Sequence, residues 1–367
     1  PGGKKLLMAR NCHKAVFNGL LIAGGEPVYV YPESGEVAGP IKPEEVDRLL
    51  RENPDVEAVL LPSPNYYGIC SDIEAIAEVT HRAGKILIVD QAHGAHLQFF
   101  HDFGEGEEMP PSAESCGADI VVNSIHKTLA SMTQSAVLNL QGDRVDRYLL
   151  EDKLQMIQST SPSYILMTSL DINGDIIEKH GREIFRRWRR NLDNFYEGAK
   201  AIKGLRLPKW PLHDFTKINM DMGISGALLE NLLIEKGIYT ELHTGNILMA
   251  MTGIGNTEED YDQLLDVLKN IDDELSIGNR RWGTEEKEPH AMEREVFPIS
   301  AEKEYVPLEE SPGRICAGSV IPYPPGIPYI CPGEKFFRED ILHIQKLRST
   351  GEKVIGVNEL GQVLVGK

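Results

Sequence analysis

The segment DIVVNSIHKTLASMTQSAVLNL, residues 119–140, contains two short apolar runs separated by a polar stretch. DIVVNS and SAVLNL are too apolar on both faces for a half-exposed sheet, so we interpret both as buried strands. Lys127 stands just beyond the point where the first of these strands should stop. Lys127 therefore lies at a predicted strand end, and its function depends on the fold around it.

Four more buried strands are predicted in the first half of the chain: KKLLMA (4–9), PVYVY (27–31), VEAVLL (56–61) and KILIVD (85–90). Helical patterns lie between several of them. One ends at Gly24-Gly25, one opens at Pro43, and one begins with a capping box from Ser71 to Glu74. Strands that alternate with helices predict an α/β fold with a mostly parallel sheet and helices on its faces.

The pattern changes after about residue 175, where a long helix precedes further strand patterns, including IYTEL (238–242), and a helix capped at Thr257. Together these predict a small α+β domain. The Pro, Gly and charge content rises from about residue 276, through a predicted linker at 279–294, before a Pro-rich end. We therefore predict a large domain at 1–174, a small α+β domain at 175–275 and a C-terminal domain at 276–367.

Composition narrows the class of protein. The chain has 367 residues, of which 41% are hydrophobic and 26% charged, as in ordinary globular proteins. Its net charge of −18 opposes nucleic-acid binding and favours a cationic partner or substrate. The five cysteines contain no CxxC pair, so neither a disulfide framework nor a metal site is expected. The sequence also predicts no membrane span, and we expect a cytoplasmic protein.

Polar residues follow two of the predicted strands at their carboxyl ends, where open α/β sheets bind ligands. Asp90 and His93 follow one strand, and Ser124, His126 and Lys127 follow the other. Each has a purely structural explanation when taken alone. The aspartate suits a turn or cap, His93 a core histidine, and Lys127 a solvated first helical turn.

Together these residues suit one chemistry better. A lysine can bind an aldehyde cofactor covalently, and an aspartate on the neighbouring strand can hold a pyridine nitrogen protonated, as in pyridoxal phosphate enzymes. Ser124 and His126 flank the lysine and can donate hydrogen bonds to a phosphate. We therefore predict pyridoxal phosphate as the cofactor, bound at Lys127 and Asp90.

The segment VNSIHKTLASMTQSA, residues 122–136, resembles the lysine signature of the bacterial ornithine/lysine/arginine decarboxylases, which are fold-type-I pyridoxal phosphate enzymes. Supporting resemblances extend along the whole chain: ARNCHK (9–14), SPNYYG (63–68), VDQAHGAH (89–96), TSPSYILMTSLD (160–171), GNTEED (255–260) and PYPPGIPYICPGE (322–334).

The resemblance implies residue roles. Lys127 would bind the cofactor covalently, and Asp90 would contact its ring nitrogen. His13 would stack on one ring face while Ala92 packs on the other, and Ser124 and His126 would lie at the phosphate or the reacting centre. The catalytic residues implied are Lys127, His13 and His126. Position 91 departs from the family, because Gln91 stands where glutamate is common, and we expect a mild effect.

Further roles are also implied by the resemblance. Glu334 would lie near the distal cation of the substrate, although an exposed acid after a Pro-Gly turn is an equal alternative. Ser161 and Ser163 would reach the phosphate of a neighbouring subunit in a homodimer or larger homo-oligomer, or else simply cap a helix. For the acid that returns a proton to the α-carbon, His126 and Cys331 are both candidates.

The resemblance implies decarboxylation of a small basic amino acid, arginine or lysine rather than ornithine, to an amine that feeds polyamine biosynthesis. Two alternatives stay open: another fold-type-I enzyme, such as an aminotransferase or carbon-sulfur lyase, and a non-catalytic paralogue acting as a regulatory partner. The family has an amino-terminal arm and a phosphate-binding turn ahead of the segment that resembles residues 1–14. We therefore expect this sequence to be a fragment that lacks them.

Overall fold

A computed structural model describes residues 4–275, 293–323, 326–349 and 352–367. The first half alternates strands and helices, as the sequence predicts. Its elements are β1 (Lys5–Ala9), α1 (Lys14–Ala23), β2 (Glu26–Val30), α2 (Pro43–Glu52), β3 (Val56–Pro62), α3 (Ile73–Arg82), β4 (Ile86–Asp90), α4 (Leu97–Asp102), β5 (Ile120–Asn123), α5 (Ile125–Thr128) and β6 (Val137–Leu140).

These six strands form one sheet in the order β2-β1-β3-β4-β5-β6. All neighbouring pairs are parallel except β5 and β6, which are antiparallel. The core of this sheet is formed by fully buried strand residues such as Leu7, Val59, Leu87 and Val121, packed against the helices on its faces. The predicted mostly parallel α/β fold is thus confirmed, with the carboxyl ends of the five parallel strands at one edge.

Most of the predicted helix ends agree with the structure. Gly24 adopts a left-handed conformation and ends α1, and Pro43 opens α2. The predicted capping box at Ser71 is wrong, because Asp72 caps α3 by accepting a hydrogen bond from the backbone N–H of Ala75 at 3.0 Å. The Ser71 hydroxyl instead accepts from the backbone N–H of Ile41, so it ties two loops together.

The second half begins with α6 (Arg147–Ile157) and the 36-residue helix α7 (Tyr164–Ala199). The sequence predicts the start of this long helix near residue 175, but the helix begins eleven residues earlier, after the cap at Ser163. The predicted boundary between residues 174 and 175 therefore falls inside α7. Phe185, Trp188 and Leu192 of α7 are buried in an apolar cluster that also contains the core residues of the small domain.

The small domain contains β7 (Lys217–Met220), α8 (Gly226–Ile234), β8 (Leu242–Thr244), β9 (Ile247–Met251) and α9 (Glu258–Glu274). Its three strands form an antiparallel sheet in the order β7-β9-β8. The predicted strand over 238–242 begins only at Leu242, whereas the predicted cap of α9 at Thr257 is confirmed and forms a capping box with Asp260.

The C-terminal part contains β10 (Lys303–Pro307), β11 (Ile321–Tyr323), α10 (Arg338–Ser349), β12 (Lys353–Ile355) and β13 (Gln362–Gly366). Two antiparallel pairs, β10 with β13 and β11 with β12, enclose a separate apolar cluster. The predicted linker at 279–294 lies almost entirely outside the described residues. Among those that the structure describes, no helix combines the length and apolar character needed to cross a membrane.

Candidate active site

The candidate site lies at the carboxyl ends of β4 and β5. Asp90 is the last residue of β4, and it pairs in register with Val122 of β5. The chain leaves β5 at Asn123 and turns at once into the short helix α5, which carries Lys127. Because the two strands are parallel neighbours, their ends bring Asp90 and Lys127 to one edge of the sheet, as the sequence predicts.

A cavity of about 560 Å³ opens at this edge. Its wall combines strand ends of the large domain, one segment of the small domain and one residue of the C-terminal part. The lining residues are His13, Ala15, Val16, Leu60, Pro62, Pro64, Asn65, Tyr66, Ile88, Asp90, Ala92, His93, Val122, Ser124, Lys127, Glu241, Leu242 and Tyr323. Five of the predicted site residues, Lys127, Asp90, His13, Ala92 and Ser124, therefore share one cavity.

The side chain of Lys127 makes one hydrogen bond among the described residues, from its Nζ to Nε2 of His93 at 2.8 Å. Burial lowers the pKa of the Lys127 amine, while the nearby carboxylates of Asp90 and Glu241 act in the opposite direction. Burial also lowers the pKa of His93 well below its ordinary value, and the cation of Lys127 adds to this effect. A neutral His93 thus holds a lysine that loses its proton more readily than a solvated one.

His13 is positioned from two sides. Its Nδ1 accepts a hydrogen bond from the backbone N–H of Ala15 at 3.3 Å and so caps α1. On the other side the loop at Gly326 approaches so closely that a Cβ there would lie 3.0 Å from His13 Nε2, at a φ of +93°. Burial lowers the pKa of His13, which favours the neutral form of its ring.

The cavity wall fits pyridoxal phosphate. Lys127 provides the amine, Asp90 the carboxylate, and His13 and Ala92 two surfaces for a flat ring. The hydroxyl of Ser124 lines the same wall and makes no hydrogen bond within the described part of the chain, so it remains available to an anion. This set matches the ring, its nitrogen and one phosphate contact.

The other predicted site residues lie elsewhere. His126 is partly exposed and does not line the cavity, and Cys331 is fully buried outside it. Ser161 and Ser163 are exposed, and Ser163 caps α7 through a hydrogen bond from Leu166 N–H, as the simpler alternative expected. The roles predicted for these four residues stay predictions.

Glu334 is neither exposed nor in the cavity wall. It is fully buried, and both carboxylate oxygens accept hydrogen bonds from the Arg10 guanidinium, at 3.0 Å and 2.9 Å. One of them also accepts from the backbone N–H of Cys331. Arg10 follows β1, so this pair attaches the C-terminal part to the large domain. The alternative of an exposed acid is therefore wrong, whereas the predicted contact of Glu334 with substrate stays a prediction.

Gln91 occupies a buried polar cluster beneath the site. Its side-chain amide donates to Glu114 at 2.8 Å and to Asn123 at 3.0 Å, and its carbonyl accepts from the backbone N–H of Ala113. Glu114 also accepts from Asn123 and Asn139. A glutamate at position 91 would face Glu114, so the amide at 91 and the acid at 114 complement each other.

The sequence analysis does not anticipate a buried charge network behind His93. Lys217 is fully buried on β7, and its Nζ donates to Asp214 at 2.7 Å and to the His93 carbonyl at 2.5 Å. Asp214 also pairs with His96 Nε2 at 3.1 Å, and His96 Nδ1 lies 3.2 Å from the Thr128 hydroxyl, next to Lys127. The small domain is thus bonded to the loops that carry the site.

Glu241 also lines the cavity without having been anticipated. It precedes β8, in a stretch that the sequence analysis treats only as a strand. The alternation of apolar and polar residues does not predict that the Glu241 side chain lines a cavity of the large domain, because that placement depends on how the two domains pack together.

Comparisons with known proteins identify the class. The solved structure of the Escherichia coli constitutive lysine decarboxylase shares the fold, with a TM-score of 0.78 at 19% identity, over 100% of this chain and 67% of that one. A NifS-like protein matches with a TM-score of 0.57 at 17% identity, over 74% of this chain and 76% of that one. The fold is therefore that of the fold-type-I pyridoxal phosphate enzymes.

Sequence comparisons give the family. The family model described as "Orn/Lys/Arg decarboxylase, major domain" matches residues 1–208, and the one described as "Orn/Lys/Arg decarboxylase, C-terminal domain" matches residues 284–359. An arginine decarboxylase of Bacillus subtilis is 31% identical, over 96% of this chain and 75% of the relative. A lysine decarboxylase of Pseudomonas aeruginosa is 26% identical, over 90% and 59%. The chain belongs to the Orn/Lys/Arg decarboxylase family, which confirms the resemblance.

Proposed function

We propose that this protein uses pyridoxal phosphate to decarboxylate a basic amino acid, arginine or lysine rather than ornithine. The observation that carries the proposal is the placement of Lys127 and Asp90 at neighbouring strand ends, in one cavity with His13 and Ala92. The names of the relatives, arginine decarboxylase and lysine decarboxylase, support the substrate class.

Each residue has a physical task in this proposal. The lowered pKa of Lys127 leaves more of its amine unprotonated and able to attack the cofactor aldehyde. Asp90 is oriented by accepting a hydrogen bond from the backbone N–H of Ala92 at 3.1 Å, and its carboxylate stabilises a protonated ring nitrogen. When bound, pyridoxal phosphate supplies the electron sink for the bond that breaks as carbon dioxide leaves.

The surrounding wall restricts water and holds protons. Tyr66 packs edge-on against the His93 ring, with centroids 4.8 Å apart, and so covers the partner of Lys127. The pair formed by Lys127 Nζ and His93 Nε2 can hold one proton between two basic atoms in the cavity wall. We propose this pair as the source of the proton that the α-carbon receives, ahead of His126 and Cys331, which lie outside the wall.

We further propose a homodimer or larger homo-oligomer in the cytoplasm, with a role in polyamine biosynthesis. The start of α7 exposes Tyr164, Ile165 and Met167, and α6 exposes Tyr148 and Leu149. An exposed apolar surface of this kind is typical of a subunit interface. Ser161 and Ser163 are exposed just before the start of α7, and we propose that they contact the cofactor phosphate of the neighbouring subunit. A monomer by light scattering that still turns over substrate would contradict the assembly.

Incubation with carboxyl-labelled arginine, lysine and ornithine tests the function. Release of labelled carbon dioxide with the matching amine is the expected result. Formation of a keto acid without carbon dioxide would instead show an aminotransferase. Bound cofactor without either product would show a non-catalytic paralogue, and a scan of neutral amino acids would then exclude a shifted substrate class.

A further inference from the structure

The helix that carries Lys127 is too short to fix its own direction. α5 contains only the four residues Ile125–Thr128, and no side chain caps its first turn. It is closed by a hydrogen bond from the backbone N–H of Leu129 to the Ile125 carbonyl at 3.1 Å. Because a single helical turn gains little free energy by itself, contacts with other segments must determine where α5 points.

Thr128, the last residue of α5, is held by two other segments, one of them in the small domain. Its carbonyl accepts a hydrogen bond from the backbone N–H of Ile254 at 3.1 Å, and a Cβ at Gly253 would lie 3.1 Å from the same oxygen. Its hydroxyl lies 3.2 Å from Nδ1 of His96. Thr128 and His96 are both buried, so water does not compete for the contact between them.

The protonation of His96 gives its contact with Thr128 a direction. His96 Nε2 lies 3.1 Å from Asp214 Oδ2, and an ionised carboxylate can only accept hydrogen bonds. Nε2 therefore carries a proton, and burial lowers the pKa of His96, which favours the neutral ring. Nδ1 is then an acceptor, so the Thr128 hydroxyl donates to it. Although burial of Asp214 opposes ionisation, His96 and Lys217 hold the pKa of this acid below its ordinary value.

Asp214 is connected to the amine of Lys127 by a second route. It accepts a hydrogen bond from Lys217 Nζ at 2.7 Å, and the same Nζ donates to the His93 carbonyl at 2.5 Å. The ring of His93 in turn bonds Lys127 Nζ through Nε2 at 2.8 Å. The helix turn and the amine of Lys127 are thus both connected to one buried carboxylate of the small domain.

We propose that Asp214, His96 and Thr128 are positioning residues that direct the Lys127 amine toward the cofactor aldehyde. None of the three lines the cavity, so they act through Lys127. This inference rests on the proposed function, because the reaction of Lys127 with pyridoxal phosphate is what the network serves. In that reaction the amine lone pair forms the new carbon–nitrogen bond, with loss of the aldehyde oxygen as water. A small displacement of α5 slows this step without removing any reacting group.

Thr128→Val tests the proposal, because valine keeps the branched shape and removes the hydroxyl. Thr128→Ser keeps the hydroxyl and is the conservative variant. Tyr67→Phe is the matched control. The hydroxyl of the buried Tyr67 forms a hydrogen bond of 2.6 Å with Thr244 of the small domain, and neither residue lines the cavity. The control therefore removes one hydrogen bond between the two domains and none to α5.

Each protein, freed of cofactor, is mixed with pyridoxal phosphate, and the absorbance of the covalent complex is followed by stopped flow. The urea midpoint, kcat and KM are measured in parallel. We expect Thr128→Val to slow formation of the complex and to lower kcat, each by about tenfold, with KM nearly unchanged, because a displacement of about 1 Å can cost about a hundredfold and this one is smaller. Thr128→Ser should keep most of both rates. Tyr67→Phe should lower the urea midpoint by a similar amount and leave both rates unchanged.

Unchanged rates in Thr128→Val, or equal slowing in Tyr67→Phe, would overturn the proposal, because the effect would then be absent or would follow stability alone. If Thr128→Val does not fold, Gly253→Ala provides the test, since its methyl group displaces the Thr128 carbonyl and removes no donor. The same slowing is expected there, and unchanged rates would again overturn the proposal. A parent protein that forms no covalent complex with pyridoxal phosphate would refute the proposed function instead, so the two failures are distinguishable.

Discussion

Replacement of Lys217 by methionine tests how the small domain supports the site. Methionine preserves most of the length of the side chain but removes its charge and its three donors. Lys217 Nζ donates to Asp214 Oδ2 at 2.7 Å, to the His93 carbonyl at 2.5 Å and to Thr216 Oγ1 at 3.2 Å, all within a fully buried region. The substitution would remove one donor from the buried Asp214 carboxylate and the Lys217 donor from the buried His93 carbonyl.

The size of the expected loss of stability depends on the hydrogen bonds that Asp214 keeps in the variant. Removing one partner of a buried ion pair costs about 3 to 5 kcal/mol. Asp214 keeps His96 at 3.1 Å and two hydrogen bonds from Thr216, so we expect the lower end, about 3 kcal/mol of the free energy of unfolding. Because most of the penalty comes from the unpaired acid, adding Asp214→Asn to Lys217→Met should recover about 1 kcal/mol or more.

Urea denaturation followed by tryptophan fluorescence provides the assay, with Lys269→Met as the control. Lys269 is exposed on α9 and forms no ion pair among the described residues. The control should change stability by less than about 0.5 kcal/mol. A loss below about 1 kcal/mol in Lys217→Met, or a double variant less stable than the single one, would refute this account of the network.

Three further results are expected. Asp90→Asn should lower decarboxylation by several orders of magnitude with an unchanged circular dichroism spectrum, because the ring nitrogen loses the carboxylate that keeps it protonated; near-normal turnover would argue against the assigned ring position. Gln91→Glu should destabilise the fold by about 1 to 3 kcal/mol at pH 7 in a denaturant titration, because the new carboxylate faces Glu114. Adding Glu114→Gln should restore stability. A single variant as stable as the parent protein would argue against the pairing of positions 91 and 114. Stability should also fall by about 2 kcal/mol between pH 7.5 and pH 5.5, because burial lowers the pKa of His93 and of His96 in the folded state while both bind protons in the unfolded state below about pH 6.5. Equal urea midpoints at the two pH values would contradict it.

The sheet could be predicted from the sequence because its strands are buried on both faces. Each of the six predicted strands agrees with the structure to within two residues at each end, from Lys5–Ala9 to Val137–Leu140. Continuous apolar runs between Gly and Pro signals leave little choice of element, and parallel pairing then fixes which strand ends meet. Asp90 and Lys127 could be placed together for the same reason.

The ends of helices were harder to predict, because two neighbouring residues can each be able to cap the same helix. Ser71 and Asp72 are both good capping residues, and only the tertiary contact of Ser71 with Ile41 decides between them. The first eleven residues of α7 expose apolar side chains such as Tyr164 and Ile165, so their pattern shows no core-facing stripe that would mark the helix start.

Contacts that join the large domain to the small domain and to the C-terminal part could not be predicted. Glu334 pairs with Arg10, 324 residues away, and Lys217 bonds to His93, 124 residues away. Each lysine, arginine or acid on its own is compatible with solvent exposure, and burial becomes visible only when the fold brings the two partners together. The position of Glu241 in the cavity wall is hidden for the same reason.

The most direct test of the account is identification of the lysine that carries the cofactor. The protein is loaded with pyridoxal phosphate, reduced with borohydride and digested, and the modified peptide is located by mass spectrometry. We expect the adduct on Lys127, whose lowered pKa and position in the cavity favour attack on the aldehyde, and its loss in Lys127→Ala. An adduct on another lysine of the parent protein, such as Lys217, or one that persists in Lys127→Ala, would contradict the account.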